Sequence, residues 1–271
     1  DRSGDAVRLP LGVYDIIVFN RSFNDFSNIA FRGNSYETLE AYARKVETRV
    51  DKKTRVETRT IISSPDELAA ATLKGFTVTE DMLGNYSQTT YGRTAPSRSS
   101  EETPDGLYHL HFVPKKLTRE VSAVLHIEGL NNIRSATCRL GGVAESIFLA
   151  TGKTSANTVT QEFTPSNPEF SPGSPFNGTL SCEFEIFGLN VIDNNNLHLD
   201  ALLVDGKTEF EGDCTNVKIT ENDDGTGSVT LILEASTEKV PDVKPEGGAG
   251  SGFDVDVDGW GNEINTDIPI N

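Results

Sequence analysis

Alternation of apolar and polar residues is the dominant pattern in the second half of the chain. It is clearest at Val121–Gly129 and Leu180–Phe187, where every second side chain is aliphatic, aromatic or Cys. Shorter runs of strand-forming residues follow the same rhythm at Ile133–Leu140, Ala144–Ala150 and Thr158–Phe163. Short strands at this spacing, with turns between them, predict a β-sandwich.

Two turn signals predict hairpins in the same region. Asp205-Gly206 separates Leu197–Val204 from Lys207–Phe210, and an Asp-Gly pair between two apolar runs is a strong hairpin signal. Residues 223–227, which read Asp-Asp-Gly-Thr-Gly, lie between two further short runs and predict a second hairpin.

A nearly continuous apolar run stands close to the start of the sequence. Val13–Phe19 is interrupted only by Asp15, it is preceded by Pro10 and Gly12, and Asn20 closes it. One-sided burial would produce polar residues at alternate positions. We therefore predict a strand that is covered on both faces.

Two segments predict short helices. Glu37–Arg44 has apolar residues at helical spacing with Ser35 as its cap, and Ser64–Ala71 begins with Ser, Pro and a Glu three residues after the Ser. Tyr108–Val113 is a further predicted strand, closed by the proline that follows it.

Charge divides the chain into two unequal parts. Of the 24 Lys and Arg and 41 Asp and Glu, residues 1–115 hold 15 and 16, which leaves 9 and 25 for residues 116–271. We predict a domain over 1–116 and a second over 117–271, with a Pro- and Gly-rich linker at 241–252. A net charge of −17 disfavours nucleic acid and anionic lipid as partners.

The last segment alternates strictly. Phe253, Val255 and Val257 share one face of an extended chain and three Asp share the other, and after a turn at Trp260 an extended course resumes with Ile264. A strand on a flexible linker can pair with its own sheet or with that of a neighbour. We treat these five apolar residues as the candidate assembly strand, and both pairings remain open.

Motif-like stretches are better explained as turns or strands. Asp254–Gly259 fits the first six positions of a calcium loop, but Asn265 stands where a bidentate Glu is required. Gly152-Lys153-Thr154 and Gly206-Lys207-Thr208 lack the Gly that a phosphate-binding loop carries five residues earlier. We therefore predict two turns and no nucleotide site.

Histidines and cysteines provide no catalytic arrangement. His109 and His111 share a face of one predicted strand without an identifiable third ligand, while His126 and His198 are isolated along the sequence. No Gly-x-Ser-x-Gly motif and no recognisable Cys-His context is present. We predict a protein that is not an enzyme and has no metal or cofactor.

The three cysteines are Cys138, Cys182 and Cys214. An odd number without Cys-x-x-Cys spacing argues against a full disulfide framework and against a zinc site. The first two lie in strand-like runs and are expected to be small buried hydrophobic residues.

Three stretches resemble one family. The Leu-Pro-x-Gly-x-Tyr bend and strand of Leu9–Asn20, the segment Ser64–Ala71 and the Phe253–Ile270 tail are similar to the fimbrillin-like proteins of the Bacteroidetes. That group includes FimA-type and Mfa-type (type V) pilus subunits and surface lipoproteins. The resemblance implies two transthyretin-like Greek-key β-sandwich domains, the first with one or two short helices.

The same resemblance implies a function at the cell surface. Members are exported lipoproteins of the outer membrane that act as pilus subunits, anchors, tip adhesins or stand-alone surface proteins. In the pilins, a protease removes the first strand and a strand of the next subunit fills the groove. The partners implied are pilin-like subunits or a second copy, and a host protein or glycan.

Two further expectations concern export and binding. The sequence begins at Asp1 without a signal peptide, and we expect a mature or trimmed form. As an alternative to assembly, a stand-alone surface lipoprotein could bind carbohydrate, with Tyr86, Tyr91 and Tyr108 as stacking faces.

Overall fold

The computed structural model describes residues 7–50, 58–83, 110–190, 195–223 and 229–245, and their regular structure is almost entirely β. The strands, numbered along the chain, are β1 (Gly12–Phe19), β2 (Ile29–Arg32), β3 (Glu40–Ala43), β4 (Lys45–Val50), β5 (Thr58–Ile62), β6 (Ala69–Val78), β7 (Lys115–Lys116), β8 (Arg119–Glu128), β9 (Ile133–Ala144), β10 (Ser146–Phe148), β11 (Thr158–Phe163), β12 (Asn167–Phe170), β13 (Asn177–Ile186), β14 (Leu197–Leu203), β15 (Glu209–Asp213), β16 (Thr215–Asp223) and β17 (Val229–Ser236). One short helix, α1 (Glu80–Leu83), and 3₁₀ turns at Phe23–Asp25 and Leu130–Asn132 accompany them.

These strands form four sheets within the described ranges. The two small sheets have the orders β1-β6-β7 and β10-β3-β2, the six-stranded sheet has the order β15-β14-β9-β11-β5-β4, and the five-stranded sheet has the order β12-β13-β8-β17-β16. Neighbouring strands are antiparallel except for β11 with β5 and β17 with β8, which are parallel.

The two large sheets face one another across a common core. The inward positions of β8 (Val121, Ala123, Leu125 and Ile127) are all buried, as the alternation predicts. Phe163 of the six-stranded sheet stacks on Phe184 of the five-stranded sheet with ring centroids 4.3 Å apart. Buried side chains of both sheets belong to one hydrophobic cluster. The prediction of a mainly β protein of sandwich type is confirmed.

Both predicted hairpins are present. β14 pairs with β15 across the Asp205-Gly206 turn, with Leu202 opposite Glu209, and β16 pairs with β17 across residues 224–228, which lie outside the described ranges. The Thr208 hydroxyl donates to the Asp205 carboxylate at 2.6 Å, and the backbone N–H of Thr208 donates to it at 2.8 Å. These bonds hold the pKa of Asp205 below its ordinary value and lock the turn.

β1 forms where the sequence predicts it, but the prediction that both of its faces are covered is wrong. It pairs with β6 alone among the described strands, and the Val13 side chain is 68% exposed. The apolar run therefore does not mark a central strand. It supplies an exposed sheet edge at its start and core contacts from Ile17 and Phe19 at its end.

The predicted helix at Ser64–Ala71 is absent. Residues 63–68 have no regular structure, and β6 begins at Ala69. The Ser64 hydroxyl, instead of capping a helix, accepts the backbone N–H of Glu185 at 2.9 Å. The backbone N–H of Ala69 donates to the side chain of Asn20 at 3.0 Å. Long-range partners thus replace the local bonds that a helix would make.

Two other local predictions also fail. Within Glu37–Arg44, residues 40–43 form β3 between β2 and β10, because Ala41 and Ala43 alternate into the core with 0% and 2% exposure. Ser35 begins a turn, in which its carbonyl accepts the N–H of Leu39 at 2.9 Å. Of the predicted strand Tyr108–Val113, residues 110–113 are described and are not in a strand.

The division into domains at 1–116 and 117–271 stays a prediction. Strands β4 and β5 precede that boundary yet belong to the six-stranded sheet, and β3 pairs with β10 from the other side of it. A cut between residues 116 and 117 would separate strands that pair with one another.

Candidate functional site

The predicted assembly residues cannot be placed on the fold. Several residues singled out from the sequence lie outside the described ranges. They are Phe253, Val255, Val257, Trp260, Ile264, the calcium-loop-like run 254–259, His109, Tyr86, Tyr91 and Tyr108. The five described segments carry three candidate surfaces.

The first candidate is the outer side of β1, which we call the β1 edge. In an antiparallel pair, alternate residues direct their N–H and C=O groups away from the partner strand, so an edge strand offers a row of such groups. Val13 in this strand is 68% exposed, and Leu11 and Val7, which precede the strand in the chain, are 50% and 73% exposed. Backbone groups and apolar side chains together are what an added strand requires.

Asp15, the one polar residue within the apolar run, makes its hydrogen bond on the side of β1 that pairs with β6. Between Tyr14 and Ile16 the pairing with β6 is irregular, so that Lys74 and Gly75 both stand opposite Asp15. The Asp15 carboxylate accepts the backbone N–H of Gly75 at 2.8 Å, and Gly75 has φ +73°. The acid therefore fixes a bulge and does not interrupt the β1 edge.

The second candidate is an open depression next to four packed phenylalanines. Phe23 contacts Phe19 and Phe31 edge-on, with ring centroids 4.8 and 4.6 Å apart, and Phe26 packs on Phe31 at 5.4 Å. The depression, of about 400 Å³, is lined by Phe23, Ile29, Ala30, Phe31, Gly33, Leu39 and Arg44. We call it the aromatic depression.

The third candidate is a polar group on the outer face of the six-stranded sheet, built around Arg139 of β9. The Arg139 guanidinium donates to Oδ2 of Asp200 on β14 and, at 3.4 Å, to Oε2 of Glu162 on β11. Only 15% of the Arg139 side chain is exposed. Three adjacent strands are thereby tied together by charge.

His198 extends this group toward β15. Its Nδ1 lies 2.8 Å from Oδ1 of Asp213, and its Nε2 lies 3.2 Å from Oδ1 of Asp200. His198, Asp200 and Glu211 each direct one ligand atom to within 4.8 Å of the other two. The sequence interpretation that His198 is isolated is wrong, because its partners come from across a hairpin.

Burial weakens the acidity of all three cysteine thiols. All three are free, Cys138 is buried, and Cys182 and Cys214 are half-buried. Burial raises the pKa of Cys182 and that of Cys214 to about 11 each, and it raises the pKa of Cys138 further. The thiols are therefore protonated at neutral pH. The prediction of a small buried hydrophobic residue is confirmed for Cys138.

The remaining motif-like residues are in turns and loops. Gly152 has φ +66° and its N–H donates to the Phe148 carbonyl at 2.8 Å, and Gly206 has φ +69° in the β14–β15 turn. Both Gly-Lys-Thr segments are turns, as predicted. His111 is exposed and outside any strand. Among the described residues, no helix has the length and apolar character needed to span a bilayer.

Comparison with solved structures finds distant likenesses. A "putative adhesin" from Bacteroides ovatus ATCC 8483 matches with a TM-score of 0.48 at 16% identity, over 76% of this chain and 65% of that one. A "putative adhesin" from Bacteroides thetaiotaomicron VPI-5482 matches with a TM-score of 0.37 at 13% identity, over 75% and 60% of the two chains. A third, from Bacteroides ovatus, has a TM-score of 0.32 at 9% identity, over 75% and 56%.

The chain therefore spans 56–65% of the length of these structures. No curated protein matches it. A family model does match, over residues 1–164 of the 271. That match covers β1 to β11 and more than half of the sequence, so the chain belongs to the family described as "Domain of unknown function (DUF5119)".

Proposed function

We propose that the protein is a structural or adhesive subunit of a fimbria-like assembly at the cell surface, and that its subunits join by β-strand addition. Its partners would be other pilin-like subunits or a second copy of itself. It would be held at the outer membrane by a lipid anchor or by its place in the assembly. In this role it acts through backbone pairing and not through catalysis.

The observation that carries this function is the β1 edge. It combines an apolar strand that has a partner on one side only, among the described strands, with an exposed Val13 in the strand and exposed Val7 and Leu11 in the segment that leads into it. A strand that pairs there would gain a ladder of hydrogen bonds and would cover these side chains. Each apolar side chain that becomes fully buried contributes about 1.5–3 kcal/mol.

The proposed donor is the tail at 253–271. Phe253, Val255 and Val257 would face the acceptor surface, and the three intervening Asp would face solvent. Charge favours the first part of the chain as acceptor, because residues 1–115 carry 15 basic and 16 acidic residues, whereas residues 116–271 carry 9 and 25. An acidic donor is repelled less by the nearly neutral part.

The resemblance of Leu9–Asn20 and of the tail to the fimbrillin-like proteins supports the same function. The description of the three solved structures as "putative adhesins" agrees with its adhesive side.

Self-association of purified protein, measured by sedimentation velocity over a range of concentrations, tests the proposal. The variants are a deletion of residues 253–271, which removes the donor, and Val13→Lys, which puts a charge on the acceptor. The matched control is Val46→Lys. Val46 is 57% exposed on β4, which is one of the two edge strands of the six-stranded sheet.

We expect concentration-dependent oligomers of the unmodified protein and of Val46→Lys, and monomers of the other two variants. Association that survives both the deletion and Val13→Lys would refute strand addition. Loss of association in the deletion alone would leave a donor but would refute β1 as its acceptor.

A second candidate function is carbohydrate or host-ligand binding by a stand-alone surface lipoprotein, and the aromatic depression favours it. Phe23 is 52% exposed at its rim, so a ring face is available for a sugar, and Arg44 lies beside it as a polar group. On a glycan array we expect signals that Phe23→Ala removes. The control Phe176→Ala alters another exposed phenylalanine, at 60% exposure, and should keep them. An array without signals would count against this function.

A further inference from the structure

The β14–β15 hairpin brings acidic and imidazole side chains together on one face. His198 stands opposite Asp213, and Asp200 stands opposite Glu211. Residues two apart on a strand share a face, so all four side chains project from the same side of the hairpin. Ligand atoms of His198, Asp200 and Glu211 all lie within 4.8 Å of one another.

Each ring nitrogen of His198 lies beside a carboxylate oxygen. A neutral imidazole has one N–H and one lone pair. If the proton is on Nδ1, it is donated to Asp213 at 2.8 Å, and the lone pair of Nε2 then faces the Asp200 carboxylate at 3.2 Å. In that tautomer Nε2 and Oδ1 of Asp200 both offer lone pairs on the same side of the ring, where one metal ion would be within reach of both.

We infer that His198 Nε2, Asp200 and Glu211 bind a zinc ion on the outer face of the six-stranded sheet. Zinc with bonds of about 2.0–2.2 Å in tetrahedral geometry places neighbouring ligand atoms about 3.3–3.6 Å apart, close to the 3.2 Å between His198 Nε2 and Oδ1 of Asp200. One imidazole with two carboxylates is a donor set that suits zinc and leaves a fourth position open.

Neighbouring residues hold the ligands in place. Asp213 accepts a hydrogen bond from Nδ1 and so fixes the ring with Nε2 toward the ion, as carboxylates do for many metal-binding histidines. Arg139 binds Oδ2 of Asp200 and leaves Oδ1 for the metal. Arg139 pairs with Glu162 and Asp200, while Asp213 contacts His198 and Glu211 lies within reach of His198 and Asp200, so a divalent cation would add positive charge among these carboxylates.

Zinc titration of the full chain, after removal of metal with a chelator, tests the inference by calorimetry. The informative variants are His198→Ala, Glu211→Gln and Asp213→Asn. The control is His126→Ala, since His126 is an exposed histidine of β8 on the other large sheet. Glu211 is itself exposed, so its substitution should leave the fold intact, and circular dichroism melts verify that every variant is folded.

We expect binding of a single zinc ion, lost in His198→Ala, at least about tenfold weaker in Glu211→Gln and in Asp213→Asn, and unchanged in His126→Ala. Nitrogen NMR of the ring should show the proton on Nδ1 and the metal on Nε2. The inference is overturned if the unmodified protein binds no zinc or if His198→Ala binds it equally well. It is also overturned if both ring nitrogens carry protons in the presence of zinc, because a protonated Nε2 has no lone pair with which to bind the metal.

Discussion

Gln161 offers the sharpest test of the core. It lies on β11 with 0% exposure, and its cross-strand neighbours are Leu140 on β9 and Ile62 on β5, which have 0% and 1% exposure. Within the described segments, neither its Nε2 nor its Oε1 has a hydrogen-bond partner. A buried amide in this position costs stability, and Gln161→Met would remove both polar atoms while keeping the length of the side chain.

The expected gain follows from the cost of burying an amide without partners, which is about 1–3 kcal/mol in mutational data. Met fills a space similar to that of Gln and adds no strain of branching. We therefore expect the free energy of unfolding to rise by about 1–3 kcal/mol. Urea unfolding followed by circular dichroism measures it as a shift in midpoint at constant slope.

Two companion variants separate polarity from volume. Gln161→Ala removes the same polar atoms but leaves a cavity, whose cost of about 2–5 kcal/mol for large-to-small changes should exceed the gain. Gln161→Glu keeps the shape and buries a carboxyl group, which should destabilise strongly. A Met variant that is less stable than the parent, together with a tolerated Glu, would show that the Gln161 amide is satisfied in solution and that the reasoning is wrong.

Further predictions concern the turn beside β1, the thiols and acid stability. Gly75→Ala should lower the free energy of unfolding by about 1–2 kcal/mol, because a backbone φ of +73° is unfavourable for Ala. The added Cβ would meet no atom within 4 Å, so the cost comes from the backbone alone. An unchanged urea midpoint would contradict this. With pKa values of about 11, Cys182 and Cys214 should react with a thiol reagent at pH 8 far more slowly in the folded protein than in urea, and equal rates would contradict their burial. For Glu40, burial raises the pKa, but hydrogen bonds led by that of Arg32 lower it overall below its ordinary value. The stability it contributes is thus present above the pKa of the unfolded chain and lost as the pH falls through the folded pKa, and acid unfolding curves of Glu40→Gln should lack that loss.

The strands of the sandwich could be predicted from the sequence because their signal is local. In β8 and β13 the period of two is set by which side chains meet the core, and that requirement is visible in each strand separately. The β14–β15 hairpin is likewise local, since Asp205 makes its turn bonds within three residues. These elements need no knowledge of distant partners.

The failed predictions concern interactions that the local sequence does not specify. Ser64 and its neighbours carry the signals of a helix start. The backbone N–H of Glu185, 121 residues away, instead donates a hydrogen bond to the Ser64 hydroxyl. In β1 the composition of a central strand accompanies an edge position, because composition does not state how many neighbours a strand has. Burial on both faces would have required other elements packed above and below the strand, and the exposure of Val13 shows that this cover is missing.

The His198 group shows how far local information extends when two predictions are combined. Read along the chain, His198 is isolated, and no metal-binding spacing is visible. A hairpin closed by Asp205-Gly206, however, pairs residue 204 with 207, and continuing that pairing along the strands sets His198 opposite Asp213 and Asp200 opposite Glu211, as observed. The turn therefore determines the register, the register brings the ligands together, and the single element needed from the rest of the fold is Arg139 on β9. The proposed zinc site is thus chiefly a property of one hairpin, since its three ligands and Asp213 all come from 198–213.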